Sequence, residues 1–205
     1  MDNRAYRVLF VGNSITRHSP KSDIGWAHDF GMAASTIEND YVHLFMRMLK
    51  CVIPSAEHRI AQCGRWEMNY TNGSEILESY REYTEPKNDL VILRIGENVP
   101  TDGMKPEVFL DSYMEMAEFF RNGSAQIIIT DLFWPNKVKD NVIREAARRL
   151  NCPLVNMNDL GQRDEMMALG LFEHPGVQAH PGDRGMRAIA FRIFERAMSL
   201  IWGQV

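Results

Sequence analysis

Three short stretches carry side chains that together suit acyl transfer: Gly12-Asn13-Ser14, Gly96-Glu97-Asn98 and His180-Pro181-Gly182-Asp183. Acyl transfer by a hydroxyl needs a nucleophile, a base within hydrogen-bond reach and donors aimed at the developing oxyanion. Ser14 is the candidate nucleophile. Gly12 lets the chain turn sharply as it leaves a strand, and a helix starting beyond Ser14 would aim backbone N–H groups at the site. His180 is the candidate base; just before a helix, the positive end of the dipole favours its neutral imidazole. Asn98 offers its side-chain amide as an oxyanion donor, and Gly96 keeps the approach open. Each feature alone has a plainer explanation: a helix cap at Asn13-Ser14, a loop histidine stacked on Pro181, a turn residue at Asn98. Their order along the chain is what gives them weight together.

That order depends on the elements that must position them. Apolar runs predict strands over Tyr6 to Val11, Glu57 to Gln62, Leu90 to Ile95, Gln126 to Thr130 and Pro153 to Asn156. Amphipathic stretches between them predict helices over Tyr41 to Leu49, Ser74 to Tyr83, Glu107 to Phe120 and Val138 to Leu150. A last helix starts near Pro181, with Met186, Ile189, Ala190, Ile193, Phe194, Ala197 and Ile201 on one face. Continuous apolar strands alternating with helices imply a parallel sheet covered on both sides. The expected architecture is a three-layer α/β/α, flavodoxin-like fold with a five-stranded parallel sheet, one domain over residues 1–205. Ligands of such sheets bind beyond the carboxyl ends of the strands. Gly12-Asn13-Ser14, Cys63-Gly64-Arg65-Trp66-Glu67, Gly96-Glu97-Asn98 and Ala179–Asp183 should therefore face one edge.

These blocks resemble those of the SGNH (GDSL-type) hydrolases, and the resemblance runs over essentially the whole chain. Gly12-Asn13-Ser14 resembles the first block, with Asn13 in place of the common aspartate. Gly96-Glu97-Asn98 resembles the third, and His180–Met186 the fifth. The resemblance implies a shallow site, a serine nucleophile and no cofactor. Ser14 N–H, a backbone N–H of the second block and Asn98 would form the oxyanion hole.

Two departures stand out. Val177 occupies the position three before the histidine, where the family places the aspartate that orients the imidazole. Two alternatives follow: a Ser-His dyad with a backbone carbonyl accepting from the imidazole, or a carboxylate relocated to Glu173, Glu67 or Asp183. Asp183 has a competing use in capping the final helix. In the second block the family's oxyanion glycine falls at Glu67, whereas Gly64 matches an earlier glycine. Any residue but proline has the needed N–H, and Gly64, the only glycine of the segment, is the first choice. Glu67 is then a candidate acid or substrate contact, its plainer explanation being a surface charge beside a packed Trp66.

The remaining residues narrow the function classes. The chain has 205 residues, is 45% hydrophobic and 24% charged, and carries a net charge of −4 with its basic residues scattered, which leaves no footprint for nucleic acid. Cys51, Cys63 and Cys152 have neither disulfide-framework nor metal-ligand spacing. No signal-like or membrane-spanning apolar run occurs, so a soluble, cytoplasmic protein is expected, of unassigned oligomeric state. His18, His28 and Asp29 lack metal-site spacing and read as pocket or loop residues of a long segment. With Trp26 and Phe30, that segment would wall the site. His174 precedes another Pro-Gly but fits the family block less well than His180. The 13 methionines read as core filler. The expected activity is ester hydrolysis on a small-molecule substrate, first of all short acyl groups such as acetyl on carbohydrate. A lipid-type esterase or thioesterase, or a non-catalytic binding protein that kept the fold, are the alternatives.

Overall fold

The computed structural model describes residues 4–203. In chain order it contains β1 (Tyr6–Gly12), α1 (Tyr41–Val52), β2 (Ala56–Gln62), α2 (Gly64–Met68), α3 (Gly73–Leu77) and β3 (Leu90–Arg94). These are followed by α4 (Pro106–Arg121), β4 (Gln126–Thr130), α5 (Lys137–Arg149), β5 (Leu154–Val155), α6 (Pro175–Gln178) and α7 (Asp183–Trp202). The five strands form one sheet in the order β2-β1-β3-β4-β5, and every pairing is parallel. The expected three-layer fold is present.

Successive strand residues point to opposite faces, and the two cores divide accordingly. Leu9, Val11, Val91, Leu93, Ile127 and Ile129 pack on one side with Phe109, Tyr113, Ile143 and Ala146 of α4 and α5. Val8, Phe10, Leu90, Ile92 and Ile128 pack on the other with Phe45, Leu49, Ile189 and Ile193 of α1 and α7. Because both faces are covered, the central strands are apolar throughout rather than alternating. Local signals set the helix starts. Asp40 caps α1 by accepting from His43 N at 2.8 Å, Pro106 opens α4, and Asn136 caps α5. No helix of the described residues is long and apolar enough to cross a membrane.

The register aligns the ends of three strands. Gly12 is the Cα partner of both Gln62 and Arg94, so the segments leaving β1, β2 and β3 start side by side. Gly12 is required there because a Cβ would lie 1.9 Å from Thr16 Oγ1, whose chain folds straight back over the strand end.

Three expectations change. Ser14 does not lie at a helix N-terminus: Thr16 N and Arg17 N donate to Asn13 O at 2.9 and 3.0 Å, making a single turn, and α1 begins at Tyr41, where the first helix was expected. Ser19 precedes Pro20, which disfavours helical backbone at that point. The helix expected over Ser74 to Tyr83 is α-helical only to Leu77 and continues as a 3-10 helix over Glu78–Thr84. The Arg59 guanidinium takes the carbonyls of Glu82, Tyr83, Glu85 and Pro86 at 2.8–3.0 Å, tying down the chain as it leaves this helical segment. Finally, α7 begins two residues after Pro181, at Asp183.

Candidate active site

Ser14, Gln62, Asn98 and His180 converge at the carboxyl edge of the sheet, on an open cleft of about 280 Å³. His18, Ile24, Met32, His174 and Gly176 complete its lining. Ser14 reaches the cleft because the strand end and the Asn13–Arg17 turn fix its backbone, which also accepts from Met32 N at 2.9 Å. His180 lies three residues before the first residue of the final helix, and its Nε2 is 2.8 Å from Ser14 Oγ. On the far side of the ring, Nδ1 is 2.6 Å from Gly176 O. A carbonyl oxygen only accepts, so Nδ1 carries the hydrogen and Nε2 presents its lone pair to the serine hydroxyl. Burial pulls the His180 pKa down from 6.5 to about 4. The Gly176 carbonyl opposes this, the Arg94 charge adds to it, Glu97 opposes it, and His18 adds to it. The Trp134 ring meets the imidazole edge-on at 5.1 Å between centroids, and Trp134 Nε1 donates to Ala179 O at 3.1 Å, steadying the same loop.

Among the described residues no carboxylate stands behind His180. Glu173 is exposed, and Asp183 accepts from Ser35 N, Ser35 Oγ and Asn39 Nδ2 at 2.6–3.1 Å, clamping the segment before α1 rather than capping α7 through its side chain. Val177 is fully buried among Trp26, Met32, Ala33 and Ala168. This position anchors the single turn of α6 to a small apolar cluster, and the turn supplies the carbonyl that Nδ1 uses. Of the two alternatives left open by the sequence, the backbone carbonyl is the one present.

Glu67 is neither a substrate contact nor a surface charge. It is fully buried. Its Oε1 accepts from Asn13 Nδ2 at 3.0 Å, Gly96 N at 2.7 Å and Asn98 N at 3.2 Å, and its Oε2 accepts from Asn98 Nδ2 at 2.6 Å. Desolvation, then the neighbouring Glu97, raise its pKa; the donors from Asn13, Asn98 and Gly96 oppose them. Glu97 is nearly as deep: it pairs with the buried Arg94 guanidinium and accepts from Asn13 Nδ2 at 2.7 Å and Phe133 N at 3.2 Å. Arg94 Nη1 donates to Asn13 Oδ1 at 3.1 Å. Asn13 thus gives hydrogen bonds to two carboxylates and takes one from a guanidinium. An aspartate there would put a third negative charge between the other two, which accounts for the amide in this chain.

Asn98 lines the same cleft as Ser14. Gly96 does not open the approach; it is buried with φ +135°, where a Cβ would lie 3.0 Å from Ile143 Cδ1. Gly64 does not line the cleft: its N–H goes to Gln62 Oε1 at 3.3 Å, and Gln62 lines the cleft with Ser14 and Asn98. The long segment after Ser14 does wall the cleft, but through His18, Ile24 and Met32. Trp26 is buried, Phe30 stacks on His28 at 4.9 Å, and Asp29 pairs with Arg17 at 2.6 Å. His174 caps α6, its Nδ1 accepting from Gly176 N at 3.1 Å. Among the described residues no three His, Cys, Asp or Glu side chains converge as a metal site.

No protein-family model and no curated protein matches the sequence. Solved structures do match in shape. The chain superposes on the psychrotrophic esterase EstA from Pseudoalteromonas sp. with a TM-score of 0.64 and 13% identity, covering 96% of this chain and 98% of that one. It also matches the lipase/acylhydrolase from Enterococcus faecalis with a TM-score of 0.59 and 14% identity, over 93% and 94% of the two chains. This is the SGNH/GDSL-hydrolase fold. A third protein with this fold is a two-domain esterase (CEX) active on acetylated mannans, with a TM-score of 0.62 and 18% identity; the match covers 96% of this chain and half of that one. Within the SGNH/GDSL fold, the serine and histidine read from the sequence meet at hydrogen-bond distance. The buried set Asn13, Glu67, Arg94 and Glu97 is the part that motif reading did not supply.

Proposed function

We propose that the protein is a serine ester hydrolase working through a Ser14–His180 dyad. The observation that carries this reading is the 2.8 Å approach of Ser14 Oγ to a His180 Nε2 whose tautomer is fixed from behind by Gly176 O. Ser14 Oγ attacks the ester carbonyl carbon as its proton passes to Nε2. The tetrahedral oxyanion forms against Ser14 N–H and the Asn98 amide, and the alcohol leaves carrying the proton from His180. Water then repeats the sequence on the acyl-enzyme and releases the acid. The Gly64 N–H joins the oxyanion donors only if Gln62 Oε1 lets it go. Gln62, in turn, is placed to meet substrate through its own amide.

The substrate is a short-acyl ester of a polar alcohol, first of all an O-acetylated carbohydrate. His18, Gln62, Asn98 and His174 around the open cleft suit a hydroxyl-rich leaving group, while Ile24 and Met32 leave room for a small acyl chain. The activity of one structural neighbour on acetylated mannans supports the same direction. A second groove of about 450 Å³ joins Ala33, Met167, Leu171 and Phe172 to Ser35, Glu165, Asp183 and Arg184, and its apolar part is where the competing lipid-type reading would put a long acyl chain. Turnover of acetyl against long-chain esters separates the two; faster cleavage of long chains would overturn the carbohydrate assignment. A fluorophosphonate probe tests the chemistry itself, and folded protein left unlabelled at Ser14 would leave only a binding protein.

A further inference from the structure

We propose that Glu67 is the positioning residue of the oxyanion site, acting through Asn98. The inference rests on the reading of Asn98 as an oxyanion donor. An exposed asparagine at the lip of an open cleft would otherwise sample several rotamers and both amide orientations, and each hydrogen bond that tightened only on binding would be offset by ordering entropy. Here the Asn98 amide is fixed before substrate arrives. Glu67 Oε2 takes one Nδ2 hydrogen at 2.6 Å, and only the nitrogen end of the amide can face a carboxylate. The second Nδ2 hydrogen then lies in a set direction in the amide plane. The same carboxylate holds the backbone below it, through Gly96 N and Asn98 N at 2.7 and 3.2 Å.

The surroundings fit this role better than a simple stabilising one. Glu67 lies on the one-turn α2, fully buried, with another carboxylate, Glu97, close enough to raise its pKa. Burying two carboxylates is costly unless every oxygen is satisfied, and a pair of apolar side chains would fill the space more simply. The chain instead supplies Asn13 as a donor to both and Arg94 as a counter-charge to Glu97. That set keeps Glu67 still, and Glu67 keeps Asn98 still. Supports of this kind matter because a small misplacement of a reacting or stabilising group costs up to about 10²-fold in rate.

The test is a double-mutant cycle on purified, intact protein hydrolysing p-nitrophenyl acetate. Asn98→Ala is expected to lower kcat by about 10²–10³-fold. Glu67→Gln, which keeps the size but removes one acceptor, is expected to lower kcat by about 10–10²-fold with KM changed less than about threefold. The double variant should match Asn98→Ala alone within about threefold, because Glu67 has nothing left to position. Additive losses, or a Glu67→Gln enzyme as fast as wild type beside a slow Asn98→Ala, overturn the proposal and leave the oxyanion reading of Asn98 standing. An Asn98→Ala enzyme of wild-type rate overturns both. Should Glu67→Gln not fold, the Asn98 side-chain amide in the 15N spectrum of the wild-type protein decides. One slowly exchanging, downfield proton is expected, and two solvent-averaged protons would be fatal to the proposal.

Discussion

The two sides of Ser14 are built by opposite means. On the base side, His180 leans on a peptide carbonyl from a single helical turn, and apolar residues hold that turn in place. On the other side, Asn98 leans on a buried carboxylate, itself held by the Asn13 amide, which also bonds the Glu97 carboxylate and the Arg94 guanidinium. A neutral carbonyl fixes the tautomer of an imidazole but does little to stabilise its charged form. A fixed amide, by contrast, meets the charge that develops on the substrate. If Asn98 is the oxyanion donor proposed above, this chain spends its buried polar groups on placing that amide and holds the base with one backbone carbonyl.

The comparison can be broken at either end. Ser14→Ala should abolish fluorophosphonate labelling and lower kcat by up to about 10⁶-fold, with the fold unchanged by circular dichroism. Asn98→Ala comes next at about 10²–10³-fold; if losing it proves harmless, the oxyanion side is not where the catalysis is concentrated. Val177→Asp asks whether the base side would accept a carboxylate. The side chain enters an apolar cluster with no partner, so stability in urea should fall by on the order of 3 kcal/mol, with no gain in kcat. A faster enzyme would mean that the loop can swing to form a full triad. The smallest effect is in the pH profile. Neutral imidazole is the working base, so kcat/KM rises as pH climbs through its pKa and is flat above. Burial sets that midpoint near pH 4 rather than 6.5, and a limb centred at 6.5 would mean that the imidazole is more solvated than its surroundings suggest.

How much of this was legible in the sequence follows from how local each signal is. Strands such as Leu90–Arg94 and Gln126–Thr130 are apolar on both faces, and the helices between them are amphipathic, so the sheet and its layers could be read directly. Ser14 and His180 could be read because each sits at a fixed place relative to an element end. Glu67 could not. Its partners lie 54, 29 and 31 residues away, and nothing near it in the chain says that its carboxylate turns inward. The carbonyl behind His180 was open to inference only as an alternative, because α6 is four residues long and has no periodicity to detect. That Ser14 sits in a single turn rather than at a helix N-terminus has a different reason: the turn is closed by Asn13 O, and Pro20 follows too soon for a helix to start there.

The seat of α6 has one more consequence. Trp26, Met32, Ala33, Ala168 and Val177 form a small cluster of their own, apart from the two cores that grip the sheet. Segments secured by few apolar contacts open at lower free energy than the domain around them. In such an opening Gly176 O would leave Nδ1, and the imidazole could turn while every strand stayed paired. If the proposed dyad is the working site, warming or mild denaturant would therefore silence it before the fold was lost, and recovery on return would be quick because only a loop needs to reseat. The temperature at which activity is lost would then follow this small cluster, and the melting temperature the sheet.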